Sequence, residues 1–127
     1  MIKQLSHICF FTNDLNKVKK FYINILKFKI SHKFINKTTK EEYGLYINCG
    51  NKTFLEVFKI KKKLNLDRNF TFHVCFNVND IKNLQKKISK INKKTTKLVY
   101  GKTDKILQFK TFDYEGNLIE FHQQSTH

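Results

Sequence analysis

The sequence predicts an α+β fold built from two tandem βαβββ modules. Three observations carry this prediction. The segment from His7 to Leu15 reads HICFFTNDL, and the segment from His73 to Ile81 reads HVCFNVNDI, 66 positions later (73 − 7). The segment from Phe54 to Phe58 reads FLEVF and returns as LIEFH from Leu118 to His122, so Glu56 and Glu120 stand 64 positions apart (120 − 56). Each half also changes from a period of two to a period near 3.6 and back, the mark of one helix among strands. An internal repeat at this spacing constrains the fold before local propensity does.

The elements follow in order. Residues 5–12 suit a strand, and Asn13 and Asp14 are good helix N-cap residues. Leu15, Val18, Phe21, Tyr22, Ile25 and Leu26 then fall on one helical face, with Asn16, Lys17, Lys19, Lys20 and Asn24 largely opposite. Strands are expected near 28–35, 43–48 and 53–59, with Asn48 to Asn51 turning between the last two. The second half repeats the plan. A strand is expected at 71–78, a cap at Asn79 and Asp80, and a helix whose apolar face carries Ile81, Leu84, Ile88 and Ile91. Strands near 95–100, 105–112 and 117–123 complete it, with the turn Asp113 to Asn117 before the last. The chain is therefore expected to be a single domain over 1–127, with module one at about 1–60 and module two at about 70–125.

Composition narrows the function classes. No apolar run approaches the roughly 20 residues needed to span a bilayer, and the first residues do not read as a signal peptide. Cys9, Cys49 and Cys75 are odd in number and lack CxxC spacing, which suits reduced thiols. A cytoplasmic protein is the expectation, with no membrane partner. The formal charge of +15 invites a nucleic-acid reading, but only one of the 25 basic residues, Arg68, is an arginine. Arginine is the preferred reader of phosphates and base edges. The lysines are spread along the chain, and their densest run, Lys59 to Lys63, sits where a linker between the halves belongs. No nucleic-acid partner is expected; attraction of small anions is.

The repeat places one His near the start and one Glu near the end of each half, at spacings of 49 and 47. Alternation along a strand puts His7, Cys9 and Phe11 on one face, and likewise His73, Cys75 and Asn77. Glu56 shares a face with Phe54 and Phe58, and Glu120 with Leu118 and His122. A carboxylate in an apolar strand is expensive to bury without a partner, and a divalent cation with imidazole neighbours would supply one. Thiolates are good zinc ligands, but a strand cysteine is more often a small apolar packing residue, and Cys9 and Cys75 are read that way. His122 is read as a surface-lying strand end. His32 and His127 have no constellation around them.

The HICFFTNDLNKVKKFYINIL segment, the FLEVF strand, HVCFNVNDI and the DYEGNLIEF ending together resemble the vicinal oxygen chelate superfamily, closest to its glyoxalase I-like members. The resemblance runs over nearly the whole chain. It implies two βαβββ modules forming a curled mixed sheet around a metal site. The implied ligands are His7, Glu56, His73 and Glu120. Departures are Lys27 where such proteins often have Gly, and Tyr114 where they often have Pro after the turn Asp. Glutathione-using glyoxalases place arginines around the thiol's carboxylates, and the first strand here has none.

Two imidazoles and two carboxylates suit one divalent ion among Zn, Ni, Co, Mn and Fe. The resemblance implies a metal-dependent lyase or isomerase turning a hemithioacetal into a thioester, with Glu120 as base and Glu56 as second choice. The substrate would be small, with adjacent oxygens, and possibly a thiol adduct. Other members of the superfamily open fosfomycin-like epoxides with a thiol, epimerise, cleave aromatic rings, or bind drugs without catalysis. A homodimer is expected from such relatives and from the prevalence of C2 pairs.

Overall fold

The computed structural model describes residues 1–62 and 73–124. The chain divides into two compact units, Met1–Asn65 and Leu66–His127, close to the module boundary read from the repeat. Lys63, Arg68, the first two positions of the strand expected at 71–78, and His127 lie outside the described residues.

Module one runs β1 (His7–Thr12), α1 (Leu15–Val18), a π-helical continuation (Lys19–Ile25), β2 (Lys29–Ile35), β3 (Glu42–Gly50) and β4 (Thr53–Lys59). Its sheet order is β1-β4-β3-β2, with β1 parallel to β4 and the other pairs antiparallel. Module two runs β5 (Val74–Asn77), α2 (Ile81–Ile91), β6 (Val99–Tyr100), β7 (Leu107–Phe112) and β8 (Leu118–Gln123). Its order, β5-β8-β7-β6, repeats the first.

The expected curled mixed sheet is corrected by this topology. The strands form two separate four-stranded sheets, neither of them curled or closed. Closure needs the edge strands of a sheet to find pairing partners. Here β1 and β2 end one sheet, β5 and β6 end the other, and no pairing joins the two sheets among the described residues. β6 is also far shorter than the strand expected at 95–100. Thr96 explains part of this, because its hydroxyl accepts the Lys110 N–H at 2.8 Å, a bond that a strand carbonyl would otherwise take.

Each core lies between one face of a sheet and its helix. Leu15, Val18, Phe21 and Tyr22 are buried with Phe10, Leu45, Ile47, Leu55 and Val57 in module one. Ile81 and Ile88 are buried with Phe109, Ile119 and Phe121 in module two. The π-helical stretch lets the consecutive Phe21 and Tyr22 both turn inward, through a wider turn closed by Leu26 N–H donating to the Phe21 carbonyl at 3.0 Å. Lys27 ends this helix with φ 65°, the left-handed conformation that glycine adopts most easily.

The two N-caps differ although their sequences match. Asp14 accepts from Asn16 N–H at 2.9 Å. Asp80 makes no such bond; it accepts from the Asn83 amide, while Gln123 Oε1 takes the Ile81 N–H at 3.0 Å. No helix among the described residues is long and apolar enough to cross a membrane.

Candidate metal centre

In module one, β1 and β4 run parallel with Cys9 directly opposite Glu56 and His7 opposite Phe54. This register brings His7 Nε2 within 3.9 Å of Glu56 Oε1, on the face away from the helix. Tyr46, opposite Glu56 on β3, places its hydroxyl 3.3 Å from His7 Nδ1. When Nδ1–H donates to that oxygen, the Nε2 lone pair points free toward Glu56, the tautomer a metal requires. Stacking of Tyr46 on Phe54, with centroids 4.5 Å apart, holds the phenol in place. The rest of the face is aromatic: Phe34 and Tyr43 both pack on Phe58. Gly44 makes this possible, since a Cβ there would meet Phe58 at 2.7 Å.

In module two, His73 immediately precedes β5, and its Nε2 lies 3.4 Å from Glu120 Oε2. Cys75 is opposite Glu120, and Asn77 is opposite His122. The Cys75 thiol donates to the other carboxylate oxygen, Oε1, at 3.8 Å. Lys110 stands opposite Glu120 where module one has Tyr46 opposite Glu56. This face is therefore polar where its counterpart is aromatic. The turn Asp113 to Asn117, whose end residues Asp113 and Asn117 are buried, leads into β8. Asp113 Oδ1 accepts from Glu115 and Asn117 N–H at 2.9 Å each, and Oδ2 accepts from the Asn117 amide at 2.7 Å.

The four ligands read from the sequence thus fall into two His–Glu pairs, one in each module. The His73–Glu120 pair has the spacing of two ligands on one ion, and the His7–Glu56 pair is about half an ångström wider. Two ligands with bonds of about 2.1 Å at a tetrahedral angle stand about 3.4 Å apart. Glu120 is the more enclosed carboxylate, with its side chain 14% exposed against 21% for Glu56.

Sequence reasoning missed two residues. Cys75, read as a packing residue, is exposed, and His122, read as a strand end, is half-buried. Cys75, Glu120 and His122 bring one ligand atom each to within 4.8 Å of one another. The signal was present: Cys follows each His by two, and His122 follows Glu120 by two, so alternation puts all of them on the ligand face. Burial, then the charge and hydrogen bond of Glu120, push the Cys75 thiol up to about 11. Burial, then Glu56, raises Cys9 in the same way. Burial pushes Cys49, which is not on these faces, up to about 11.

Residues 4–121 match the Glyoxalase/Bleomycin resistance protein/Dioxygenase superfamily. No curated protein matches the chain. Among solved structures, it is similar to the glyoxalase family protein from Enterococcus faecalis (TM-score 0.75, 18% identity, 94% of this chain and 97% of that one). It is also similar to the genomically encoded fosfomycin resistance protein FosX from Listeria monocytogenes (TM-score 0.74, 16% identity, 98% and 96% covered). A third is a glyoxalase family protein from Bacillus anthracis (TM-score 0.75, 18% identity, 98% of each). The repeated βαβββ topology, the paired His–Glu faces and the match over residues 4–121 place this chain in the Glyoxalase/Bleomycin resistance protein/Dioxygenase superfamily.

Proposed function

We propose that the chain is a metal-dependent enzyme that opens a small anionic, oxygen-rich electrophile of the fosfomycin-epoxide type. The observation that carries the metal dependence is the matched pair of contacts, His7 to Glu56 at 3.9 Å and His73 to Glu120 at 3.4 Å. The proposed ligands are these four residues, within a single domain of two modules.

Charge favours an anionic substrate, and the missing arginine and the similar fold of a fosfomycin resistance protein favour an epoxide over a glutathione hemithioacetal. The formal charge is +15, which draws a phosphonate toward the protein. Lys110 stands beside Glu120 as a local cation, and β1 carries no arginine to grip glutathione's carboxylates. The Listeria protein with the same fold is a fosfomycin resistance protein.

A divalent ion bound there supplies a Lewis acid for the charge that gathers on the epoxide oxygen. Glu56, at the longer His–Glu distance, takes the proton from the attacking water or thiol. The nucleophile bonds to a ring carbon, the ring C–O bond breaks, and its electron pair stays on oxygen, which is then protonated. On the isomerase reading, Glu120 would instead move the proton beside a carbonyl. A homodimer in solution is part of the proposal and is tested by sedimentation.

The deciding experiment follows fosfomycin by phosphorus NMR with Mn, Zn, Ni, Co or Fe(II), with and without added thiols. A parallel assay offers the methylglyoxal hemithioacetals of the same thiols. Metal-dependent loss of the epoxide supports the reading. Thioester formation without epoxide opening restores the isomerase. Tight drug binding with no turnover of either substrate defeats both.

A further inference from the structure

We infer that module two holds a thiophilic divalent ion on its own, through Cys75, Glu120 and His122, with a fourth position open to water. The inference shares Glu120 with the proposed catalytic set but does not rest on that reading. It needs nothing from module one.

The placement comes from the ladder. Cys75 and Glu120 are register partners on adjacent parallel strands, with the thiol 3.8 Å from the carboxylate. His122 is two residues along β8 from Glu120 and so lies on the same face. Glu120 presents its two oxygens in different directions, Oε1 to Cys75 at 3.8 Å and Oε2 to His73 at 3.4 Å. With a Zn–S bond of about 2.3 Å and a Zn–O bond of about 2.1 Å, tetrahedral S and O ligands stand about 3.6 Å apart. The Cys75–Glu120 separation therefore lies close to that of two tetrahedral ligands, and the His122 imidazole closes the group to within 4.8 Å.

Donor chemistry selects the ion. One sulfur, one imidazole nitrogen and one carboxylate oxygen suit zinc, cobalt or cadmium, and disfavour magnesium and manganese. Access is open, since Cys75 is exposed and Glu120 and His122 are half-buried. Module one lacks the counterpart. Phe58 stands where His122 stands in the repeat, and among the described residues the Cys75 group alone closes to within 4.8 Å. Capture of Glu120 by a thiophilic ion also withdraws it from the catalytic set. Zinc beyond one equivalent is then expected to inhibit any manganese-supported activity, and the Cys75→Ser variant to resist it.

The test uses the full chain loaded with cobalt(II), whose bond to a thiolate gives an intense near-ultraviolet charge-transfer band. The wild-type protein is expected to show the band. Cys75→Ser should lose it, while Cys9→Ser and Cys49→Ser keep it. His122→Ala should weaken cobalt binding by about 10-fold or more. His7→Ala and Glu56→Ala should leave the band in place, although both would damage the proposed catalytic set. Circular dichroism of Cys75→Ser, a near-isosteric change at an exposed site, shows that the fold survives. Cobalt bound without a sulfur band, or a band that survives Cys75→Ser, overturns the inference. So does a band abolished by His7→Ala.

Discussion

Cys75 stands directly across the parallel β5–β8 ladder from Glu120, its sulfur 3.8 Å from the carboxylate. The same register sets Cys9 across from Glu56 on the β1–β4 ladder. Each module therefore faces a thiol with an acid, and the acid's charge adds to burial in raising the thiol's pKa.

The raised thiol pKa values predict slow alkylation of the metal-free protein. With Cys49 and Cys75 pushed up to about 11, they hold about 100-fold less thiolate near pH 8 than ordinary thiols do. Glu120→Gln removes the charge that helps raise Cys75, so Cys75 should react faster while Cys49 does not change. Iodoacetamide labelling followed by peptide mass spectrometry reads both sites at once. Equal rates at Cys75 in parent and variant would contradict the assignment.

The sign of the linked stability effect follows. These thiols have raised folded pKa values, so the unfolded chain loses their protons first, starting from 9.0. Their contribution is present below pH 9.0 and is lost as pH rises toward about 11. Urea unfolding midpoints of the metal-free protein should fall across that window. The Cys49→Ala, Cys75→Ala double variant should show a shallower fall.

Substitution of the two glutamates separates the two chemical readings. For epoxide opening, Glu56→Gln should lower kcat by roughly 100-fold or more with metal retained, the scale of a lost general base. For isomerisation the same loss should fall on Glu120→Gln. Metal content is measured on both variants by elemental analysis, so that loss of the ion is not mistaken for loss of the base.

The capping difference predicts unequal costs for equivalent changes. Asp14→Ala removes a bonded cap and should cost about 1 kcal/mol. Asp80→Ala should cost clearly less, because Gln123 already satisfies the first N–H of α2. Denaturant titration of the two variants checks this, and equal losses would show that the Gln123 bond does not substitute for the cap.

Lys27 offers a stabilising change. Its φ of 65° is strained for a side chain with a Cβ, so Lys27→Gly should stabilise by up to about 1 kcal/mol. The melting temperature should rise; a fall would mean that the lysine stem packs usefully over the helix end.

Much of this architecture was legible in the chain itself. The element order and the helix faces are local patterns of period two and 3.6, which depend on neighbours a few residues away, and the repeat is legible by comparing the chain with itself. Even the strained Lys27 showed itself as a missing glycine. Tertiary structure alone decided three things. The π-helical turn at Phe21 and Tyr22 depended on room under the sheet for two consecutive rings. The two open sheets replaced the expected curled one because pairing at strand edges is a long-range choice that alternation does not encode. Cys75 joined Glu120 and His122 only through the parallel register of β5 on β8, which brings together residues 45 positions apart in the chain (120 − 75). A one-residue slip of that register would have turned the same side chains to the opposite face.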